Sequence, residues 1–551
     1  MTLTKPCAAA IASLLIAACT RGPDFQADRI SAAVRMLASD EFAGRAPASA
    51  GEQKTVTYLV NQMEAAGLTP GGELQPDGTR AWTQAVPLVR YETTGPVSVQ
   101  VRAGRDALTW TQGEQVAIRP SQAGTDHVQL DGAPIVFVGY GVYAPERNWD
   151  DFKGMDLKGK VALMLVNDPD FETGEGDFGG KAMTYYGRWT YKYEEAARRG
   201  AAGALVIHET EPASYGWAIV NNSNTSAEFD VVRADPLAVH VPVEGWIQRD
   251  ATVDLFKRAG LDFEMLKAEA RKRAFTPVTL PAMRISVDLH VRRQPVRSSN
   301  VIGVLTGRKY PDEWLLYTAH WDHLGVVPGA NGGDSIYNGA VDNGTGLAVL
   351  VEIARNFART GRADRSVGFL FVTAEEQGLL GSEYYAGNPL YPLAKTVADI
   401  NTDALRPLAP ATDFSTRGNV PSELQDQIVQ VGEKLGRSFT PDSNPAAGYF
   451  YRSDHFSFAK RGVPALSFTS GDNPRGSAPG AGDAWDKMFR AERYHQPGDE
   501  IGTDWRSDGL AADALMQYTL GRQLADSHAW PQWRQGAEFK AVRDATAAER
   551  E

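Results

Sequence analysis

Cysteine is nearly absent from this 551-residue chain, which has two, Cys7 and Cys19. The residues after Cys19 offer no disulfide partner and no thiolate ligand, so a metal ion would depend on histidine, aspartate and glutamate. A basic surplus is also lacking, because the formal net charge is −12. This charge argues against a nucleic-acid partner.

Long apolar runs are scarce as well. The N-terminal stretch MTLTKPCAAAIASLLIAAC has one basic residue, Lys5, and an apolar segment too short to span a bilayer. It predicts an export signal over residues 1–18. The segment Ile16–Cys19 resembles a bacterial lipobox, which predicts a lipidated Cys19 as the sole membrane anchor, with a plain signal peptide as the alternative. Thr20 then favours the outer membrane on its periplasmic side; without lipidation the protein would be periplasmic or secreted.

Changes in hydrophobic periodicity and composition along the chain predict several regions. Residues 28–130 begin with two helical patterns and continue with strand-like alternation, and residues 131–283 read as a β-rich insert with a linker. From 284 to 526 strands and helices alternate, which predicts an α/β three-layer sandwich with a mixed, largely parallel sheet. Residues 527–551 are polar and predict a loosely held C-terminal tail.

Metal-binding residue types recur at the predicted strand ends and in the turns near them. Each alone would usually be structural, but ligands collect outside the carboxyl ends of parallel strands, where one sheet would bring them together. Nitrogen and oxygen donors without thiolates favour zinc, with manganese or cobalt as substitutes. The five ligand candidates are His320 in TAHWDH, Asp342 in NGAVDNGTG, Glu376 in TAEEQG, Asp403 in NTD and His495 in RYHQPGDE.

Glu375 and Glu376 are expected to have different roles, because adjacent side chains on an extended segment point to opposite sides. After a strand, one carboxylate can bind a metal while its neighbour faces the open coordination position as a general base. The alternative is that AEEQG merely starts a helix with favourable acidic residues.

Together, His320-Trp321-Asp322, VDNGTG, AEEQGLLGS, NTD and Tyr494-His495 resemble the motif series of the co-catalytic zinc aminopeptidase family, whose members include glutamate carboxypeptidases and glutaminyl cyclases. The resemblance covers about residues 28–120 and 284–525, and it implies that residues 28–130 are the N-terminal part of the same peptidase domain whose catalytic part is residues 284–526. It implies two zinc ions bridged by Asp342. The other ligands would be His320 and Asp403 at one site, and Glu376 and His495 at the other.

The resemblance also implies the catalytic roles. Glu375 would take a proton from a water between the metals and pass it to the leaving amine. Asp322 would fix the imidazole of His320, and Tyr494 would hydrogen-bond the carbonyl oxygen. The implied function is an exported aminopeptidase that removes N-terminal residues from peptide substrates.

Several alternatives stay open at this stage. A carboxypeptidase or dipeptidase could use the same metal core, and Arg452 could receive a substrate carboxylate or be structural. A non-catalytic binding protein of the same fold would lack ligands, whereas this chain retains them. The insert resembles a protease-associated domain. His323 is read as loop structure or as a neighbour of the ligands, and Ser453-Asp454-His455 as pocket or loop residues, since a catalytic triad is defined by geometry.

Overall fold

The computed structural model describes residues 22–327 and 333–550. The predicted signal over 1–18 and the predicted lipidation at Cys19 lie outside the described residues. Within the described part, no helix combines the length and the apolarity needed to cross a membrane.

Helices occur along the whole described chain. The α-helices are α1 Ala27–Leu37, α2 Ala50–Ala66, α3 Trp189–Arg198, α4 Thr210–Ala213, α5 Trp217–Thr225, α6 Arg249–Arg258, α7 Phe263–Ala270, α8 Gly346–Arg359, α9 Leu380–Gly387, α10 Glu423–Lys434, α11 His455–Ala459, α12 Ala481–Glu492, α13 Asp508–Ala525 and α14 Lys540–Ala545. Local chemistry fixes some of these ends. In α2, for example, the Ser49 hydroxyl accepts hydrogen bonds from the N–H groups of Gly51 and Glu52, and Gly67 ends the helix at a φ of 89°.

Strands are as widely distributed. They are β1 Thr69–Pro70, β2 Thr83–Ala103, β3 Asp106–Trp110, β4 Val116–Ile118, β5 His127–Phe137, β6 Tyr143–Ala144, β7 Trp149–Asp150, β8 Val161–Leu165, β9 Gly203–His208, β10 Glu228–Val231, β11 Val243–Gln248, β12 Val278–Leu305, β13 Tyr310–His320, β14 Gly325–Val326, β15 Ile336–Tyr337, β16 Arg365–Val372, β17 Thr396–Thr402, β18 Asp413–Thr416, β19 Ser438–Phe439 and β20 Ala465–Ser470.

One long strand joins the two parts of the molecule. The principal sheet has the order β19-β18-β20-β17-β13-β16-β12-β5-β8-β9-β11-β4, and β2 also pairs along β12. The C-terminal end of β12 pairs with β16, whereas its N-terminal end pairs with β5. We call the part from β16 to β19 the C-terminal half, and the part from β5 to β4 the insert.

The C-terminal half has the predicted architecture. Strand β13 is parallel to β16 and β17, β17 is parallel to β20, and β18 is parallel to β19, while β12 is antiparallel to β16 and β18 is antiparallel to β20. Alternate residues of β13 face opposite layers: Leu315 and Tyr317 join the core with α1, α2, α8 and α13, whereas Trp314 and Leu316 join Tyr385 of α9 and the helix α11. The mixed, largely parallel sheet between two helical layers is therefore confirmed.

The packing of the insert departs from the predicted boundaries at residues 130 and 283. Its hydrophobic core begins at Tyr91, includes Trp110 and Ile118, and extends to Val291. The segment from 91 to 130, predicted to belong with the C-terminal half, therefore packs with the insert. The reason is that β2 and β12 are long strands that continue from one half into the other.

The C-terminal segment is docked on the core, so the prediction of a loosely held tail is wrong for the described residues 527–550. Trp533 and Phe539 are 2% and 4% exposed and belong to the core of the C-terminal half. The Trp533 indole N–H donates to the carbonyl of Gly462 over 2.8 Å. Two buried aromatic rings thus hold a segment that is polar on average.

Candidate metal centre

The predicted ligands lie at one edge of the parallel sheet. Strand β13 ends at His320, whose register partner on β16 is Val372. Glu375 and Glu376 follow β16 after a two-residue turn, and Asp403 directly follows β17. Because the carboxyl ends of parallel strands meet at the same edge, three separate segments deliver their side chains to one place.

Several non-glycine positions near this edge adopt the left-handed region, which such residues rarely occupy; Ala404, directly after Asp403, has a φ of 48°. Ala374, directly before the glutamate pair, has a φ of 52°, and His495 has a φ of 55°. Such positions cost free energy and persist where the surrounding structure holds them, commonly at functional sites.

Five predicted ligands converge on two groups that share Asp342. In the first, His320 Nε2 lies 3.3 Å from Asp342 Oδ1 and 3.3 Å from Asp403 Oδ1. In the second, His495 Nε2 lies 2.9 Å from Glu376 Oε2 and 3.4 Å from Asp342 Oδ2. The two oxygens of Asp342 thus face different groups, as a bridging carboxylate requires.

The donor set fits zinc ions. Two ligands of a tetrahedral zinc with bonds of about 2.0–2.1 Å are about 3.3 Å apart, close to the separations within each group. In addition, His495 Nε2 faces two carboxylates, at 2.9 and 3.4 Å, without the alignment of a hydrogen bond to either. A buried nitrogen without a hydrogen bond is costly unless a ligand uses its lone pair. The arrangement is thus suited to cations held between the side chains.

Asp322 acts differently from the prediction. The Nδ1 of His320 lies 3.1 Å from the backbone carbonyl oxygen of Asp322 and 3.8 Å from its carboxylate. The carboxylate instead accepts the backbone N–H groups of Glu375 over 3.0 Å and Glu376 over 3.3 Å. Asp322 therefore orients the imidazole through its main chain and fixes the glutamate pair through its side chain.

Glu375 faces open space while its neighbour faces the ligands. It lines both a cavity of ≈ 340 Å³ that reaches the insert and a smaller one of ≈ 100 Å³ beside Asp403. Burial raises the pKa of Glu375 well above its usual range; His320 opposes this effect and Asp403 adds to it. For Glu376 burial acts in the same direction, but the charge of His495 lowers the pKa to about 2. Environment thus separates the two carboxylates.

Tyr494 stacks on His495, with ring centroids 3.9 Å apart. It lines both cavities together with Glu375, and its side chain is partly exposed. The phenol is therefore beside the cluster, as predicted, and its ring also supports the histidine from one face.

His323 is closer to the ligands than a simple loop residue. Its Nδ1 lies 2.6 Å from Oε1 of Glu376, the oxygen that does not face His495. His323, Asp342 and Glu376 form an alternative group of potential donors. We read His323 as the residue that holds the second carboxylate oxygen of Glu376.

Ser453, Asp454 and His455 do not form a triad. The Ser453 hydroxyl accepts a hydrogen bond from the side-chain amide of Asn401 over 2.7 Å. Neither ring nitrogen of His455 has a hydrogen-bond partner within the described residues, so the serine–histidine contact of a triad is missing. All three residues are buried, and Ser453 also lines the smaller cavity beside Asp403.

Sequence reasoning missed two residues that hold the Asp342 turn. Arg45 donates to several backbone carbonyls around it, and Asp499 accepts its N–H groups. It also missed a separate group on the insert surface, where His127, Asp288 and His290 bring donor atoms within 4.8 Å of one another. Neither set forms a local sequence pattern, because strands and loops far apart in the chain bring the residues together.

Comparison with known proteins extends these observations. Residues 300–519 match the profile described as Peptidase family M28. The aminopeptidase YwaD of Bacillus subtilis is 28% identical over 324 residues, which are 58% of this chain and 54% of that protein. A glutamate carboxypeptidase 2 homolog of Caenorhabditis elegans is 22% identical over 370 residues, 57% of this chain and 44% of its own. This chain thus matches about half the length of these curated relatives.

A solved structure shares the fold. The aminopeptidase from Aneurinibacillus sp. strain AM-1 superposes with a TM-score of 0.50 at 19% identity, covering 91% of this chain and 94% of that one. The matched segment 300–519 contains the six central residues His320, Asp342, Glu375, Glu376, Asp403 and His495. The match to peptidase family M28 and the candidate ligands therefore coincide in the same part of the chain, residues 300–519.

Proposed function

We propose that this protein is an exported, zinc-dependent aminopeptidase that hydrolyses the N-terminal residue from peptides. The observation that carries the proposal is the position of Asp342. Its two oxygens face two separate groups of nitrogen and oxygen donors, 3.3 Å from His320 Nε2 and 3.4 Å from His495 Nε2.

The ligands divide into two sets. His320 and Asp403 would hold one zinc ion, Glu376 and His495 would hold the second, and Asp342 would contact both. Zinc ions bound there would act as Lewis acids that polarise the scissile carbonyl and favour a nucleophilic water. The backbone carbonyl of Asp322 accepts from Nδ1 of His320 and so leaves Nε2 as the ligating atom.

Glu375 supplies the proton transfers. Its carboxylate takes a proton from the attacking water and delivers it to the departing amine, so that one group serves as base and then as acid. Asp322 holds the Glu375 backbone N–H over 3.0 Å, which limits the motion of the turn during both transfers. Tyr494, which lines the same cavity, donates a hydrogen bond from its hydroxyl to the carbonyl oxygen as negative charge develops there.

The charge of the centre supports recognition of a free amine. Glu375 and Asp403 line the same cavity beside the cluster, and carboxylates attract the ammonium group of a peptide N-terminus. The YwaD relative is described as an aminopeptidase. Together these observations support cleavage at the N-terminal residue.

A second candidate function is a carboxypeptidase or dipeptidase on the same core. Arg188 of the insert and Arg452 of the C-terminal half line the cavity that reaches Glu375. The Nε of each is buried without a hydrogen-bond partner in the described chain. Burial lowers the pKa of Arg188 to about 10, and the like charge of Arg452 acts in the same direction. A substrate carboxylate would relieve this repulsion.

Replacement of the proposed base tests the catalytic assignment. Glu375→Gln should lower kcat on leucyl-nitroanilide by about 10²–10⁴-fold, while zinc content measured by mass spectrometry stays at the wild-type level. Glu352→Gln is a matched control, since Glu352 is buried in α8 beside Arg29, outside the cluster. Unchanged activity in Glu375→Gln would contradict the role of the glutamate.

The same preparations separate the two candidate functions. Wild-type protein should cleave leucyl-nitroanilide and leave an N-acetylated peptide with a free carboxylate intact. Cleavage of the blocked peptide alone would replace the aminopeptidase assignment with a carboxypeptidase one.

We also propose export as a lipoprotein anchored through Cys19, on the outer membrane. The support is the short apolar segment before Cys19 and the threonine after it. Cys19→Ser should move the protein from the membrane fraction to the soluble fraction of cells that express it. A wild-type protein found in the soluble fraction would contradict the anchor.

A further inference from the structure

Arg45 is a buried cation at the centre of the loops that carry the ligands. It lies in the segment GRAPASAGE between α1 and α2, far from the ligands in sequence. Its side chain is fully buried, with 0% exposure. A buried guanidinium requires compensation for the lost hydration, so its partners indicate its role.

Within the described residues, this guanidinium donates its hydrogen bonds to backbone carbonyls. Nε donates to Trp321 over 3.0 Å, Nη1 donates to Asn338 over 2.6 Å, and Nη2 donates to Gly339 over 2.9 Å. A further donation from Nη1 reaches Leu37 at the end of α1 over 2.8 Å. The planar fork thus ties the residue after His320 to the turn that leads into Asp342.

The turn is shaped to admit the guanidinium. Gly339 has a φ of 58°, and a β-carbon there would lie 2.7 Å from Nη2 of Arg45 and 2.3 Å from the carbonyl oxygen of Asp342. A side chain at this position would collide with both. Glycine is therefore required for the close approach between Arg45 and the turn.

Asp499 holds the same turn from the other side. Its carboxylate accepts the N–H groups of Val341 over 2.9 Å and Asp342 over 3.0 Å, and its carbonyl accepts that of Ala340 over 2.9 Å. The carbonyls of the turn point to a cation and its N–H groups to an anion. The main chain around Asp342 is thus fixed by two buried side chains of opposite charge.

Arg45 also balances charge. Burial lowers its pKa to about 10, while the nearby carboxylates of Asp499 and Asp342 act in the opposite direction. The guanidinium therefore remains protonated at neutral pH, beside a cluster in which carboxylates outnumber histidines.

We propose that Arg45 is a positioning residue of the metal centre, which fixes the Asp342 turn against the end of β13 and thereby sets the zinc affinity of the site. This inference rests on the proposed function, because it assumes that the cluster binds zinc. It adds a residue outside the matched segment 300–519 to the machinery of the site.

Zinc affinity of the full chain, measured by competition with a chelator, tests the inference. Arg45→Lys keeps the charge but cannot serve carbonyls on both loops with its single ammonium group. Zinc affinity should fall by about 10–100-fold, as for other residues that orient ligands. Arg45→Ala should show the same loss, and low-millimolar guanidinium should partly restore binding by occupying the vacated space.

Arg543 provides the matched control. It is 1% exposed and donates to the backbone carbonyl of Thr396 over 3.0 Å, away from the cluster. Arg543→Lys should lower the thermal unfolding temperature and leave zinc affinity unchanged. The inference is overturned if Arg45→Lys binds zinc as tightly as wild type. Failure of the proposed function would appear differently, as a wild-type protein that binds no zinc.

Discussion

The two halves of the molecule share one sheet but treat buried charge in opposite ways. In the insert, His240 lies between Glu244, 3.0 Å from its Nδ1, and Asp230, 3.1 Å from its Nε2, and Arg233 pairs with the same aspartate. In the C-terminal half, carboxylates gather around His320 and His495, and the Nε2 of His495 faces two of them at 2.9 and 3.4 Å.

The difference shows where a ligand is needed. Buried charges that satisfy one another specify and stabilise a structure, whereas a buried cluster with surplus negative charge is stable only when something else compensates it. The His240 network is completed by residues of the insert itself. The cluster of the C-terminal half is left incomplete at one edge of the sheet, where zinc ions would complete it.

Removing His240 from the insert network should cause the largest loss of folding stability, and the size of this loss should depend on pH. Burial opposes protonation of His240, but Glu244 and Asp230 prevail and raise its pKa from 6.5 to about 9. A folded-state pKa above the unfolded value stabilises the fold fully below pH 6.5, and the contribution is lost as the pH rises through about 9. At about 1.4 kcal/mol per pKa unit, the upper limit is about 3 kcal/mol.

Denaturant unfolding at several pH values measures this contribution. The free energy of unfolding of wild type should exceed that of His240→Gln most near pH 6, and the gap should narrow as the pH approaches 10. His528→Gln is the control, because His528 is largely exposed beside Glu313 and surface pairs contribute little. A gap that stays constant with pH would contradict the account of the network.

Replacing one buried aspartate in each half should have a smaller effect, on zinc affinity in one half and on stability in the other. Asp322→Asn removes an acceptor from the N–H groups of Glu375 and Glu376 and should lower zinc affinity by about 10–100-fold. Asp151 of the insert accepts the N–H of Val142 over 2.9 Å and the indole N–H of Trp149 over 2.7 Å. Asp151→Asn should lower stability and leave zinc affinity unchanged. Equal zinc affinities in both variants would contradict the claim that only the C-terminal half sets the zinc affinity.

The sequence predicts three of the ligands, His320, Glu376 and Asp403, because they lie at or just after the ends of buried strands. The segments VGFLFVTAEE and TVADINTD each combine an apolar run with an acidic residue at its end. Because the carboxyl ends of parallel strands meet at one edge of the sheet, these acidic residues are brought together. Arg45 could not be found in this way. Its partners lie 276 to 297 residues away apart from Leu37, and an arginine in a polar loop has no local feature that distinguishes it from an exposed one.

The boundaries of the insert were also beyond local reasoning. Strand β12 continues from Val278 to Leu305 through Pro281 and Pro295, residues that normally interrupt a strand. The pairing of β12 with β5 shifts register between Thr279 and Arg284, the interval that contains Pro281. The docked C-terminal segment was missed for a related reason, since two buried aromatics do not change the polar average of the residues around them.

The most direct test of the central claim is the zinc content of the purified full chain, counted by native mass spectrometry. The shared position of Asp342 between two donor groups predicts about two zinc ions per chain, and Asp342→Asn should retain fewer. A wild-type protein that binds no zinc, or an Asp342→Asn variant that binds as much as wild type, would contradict the account.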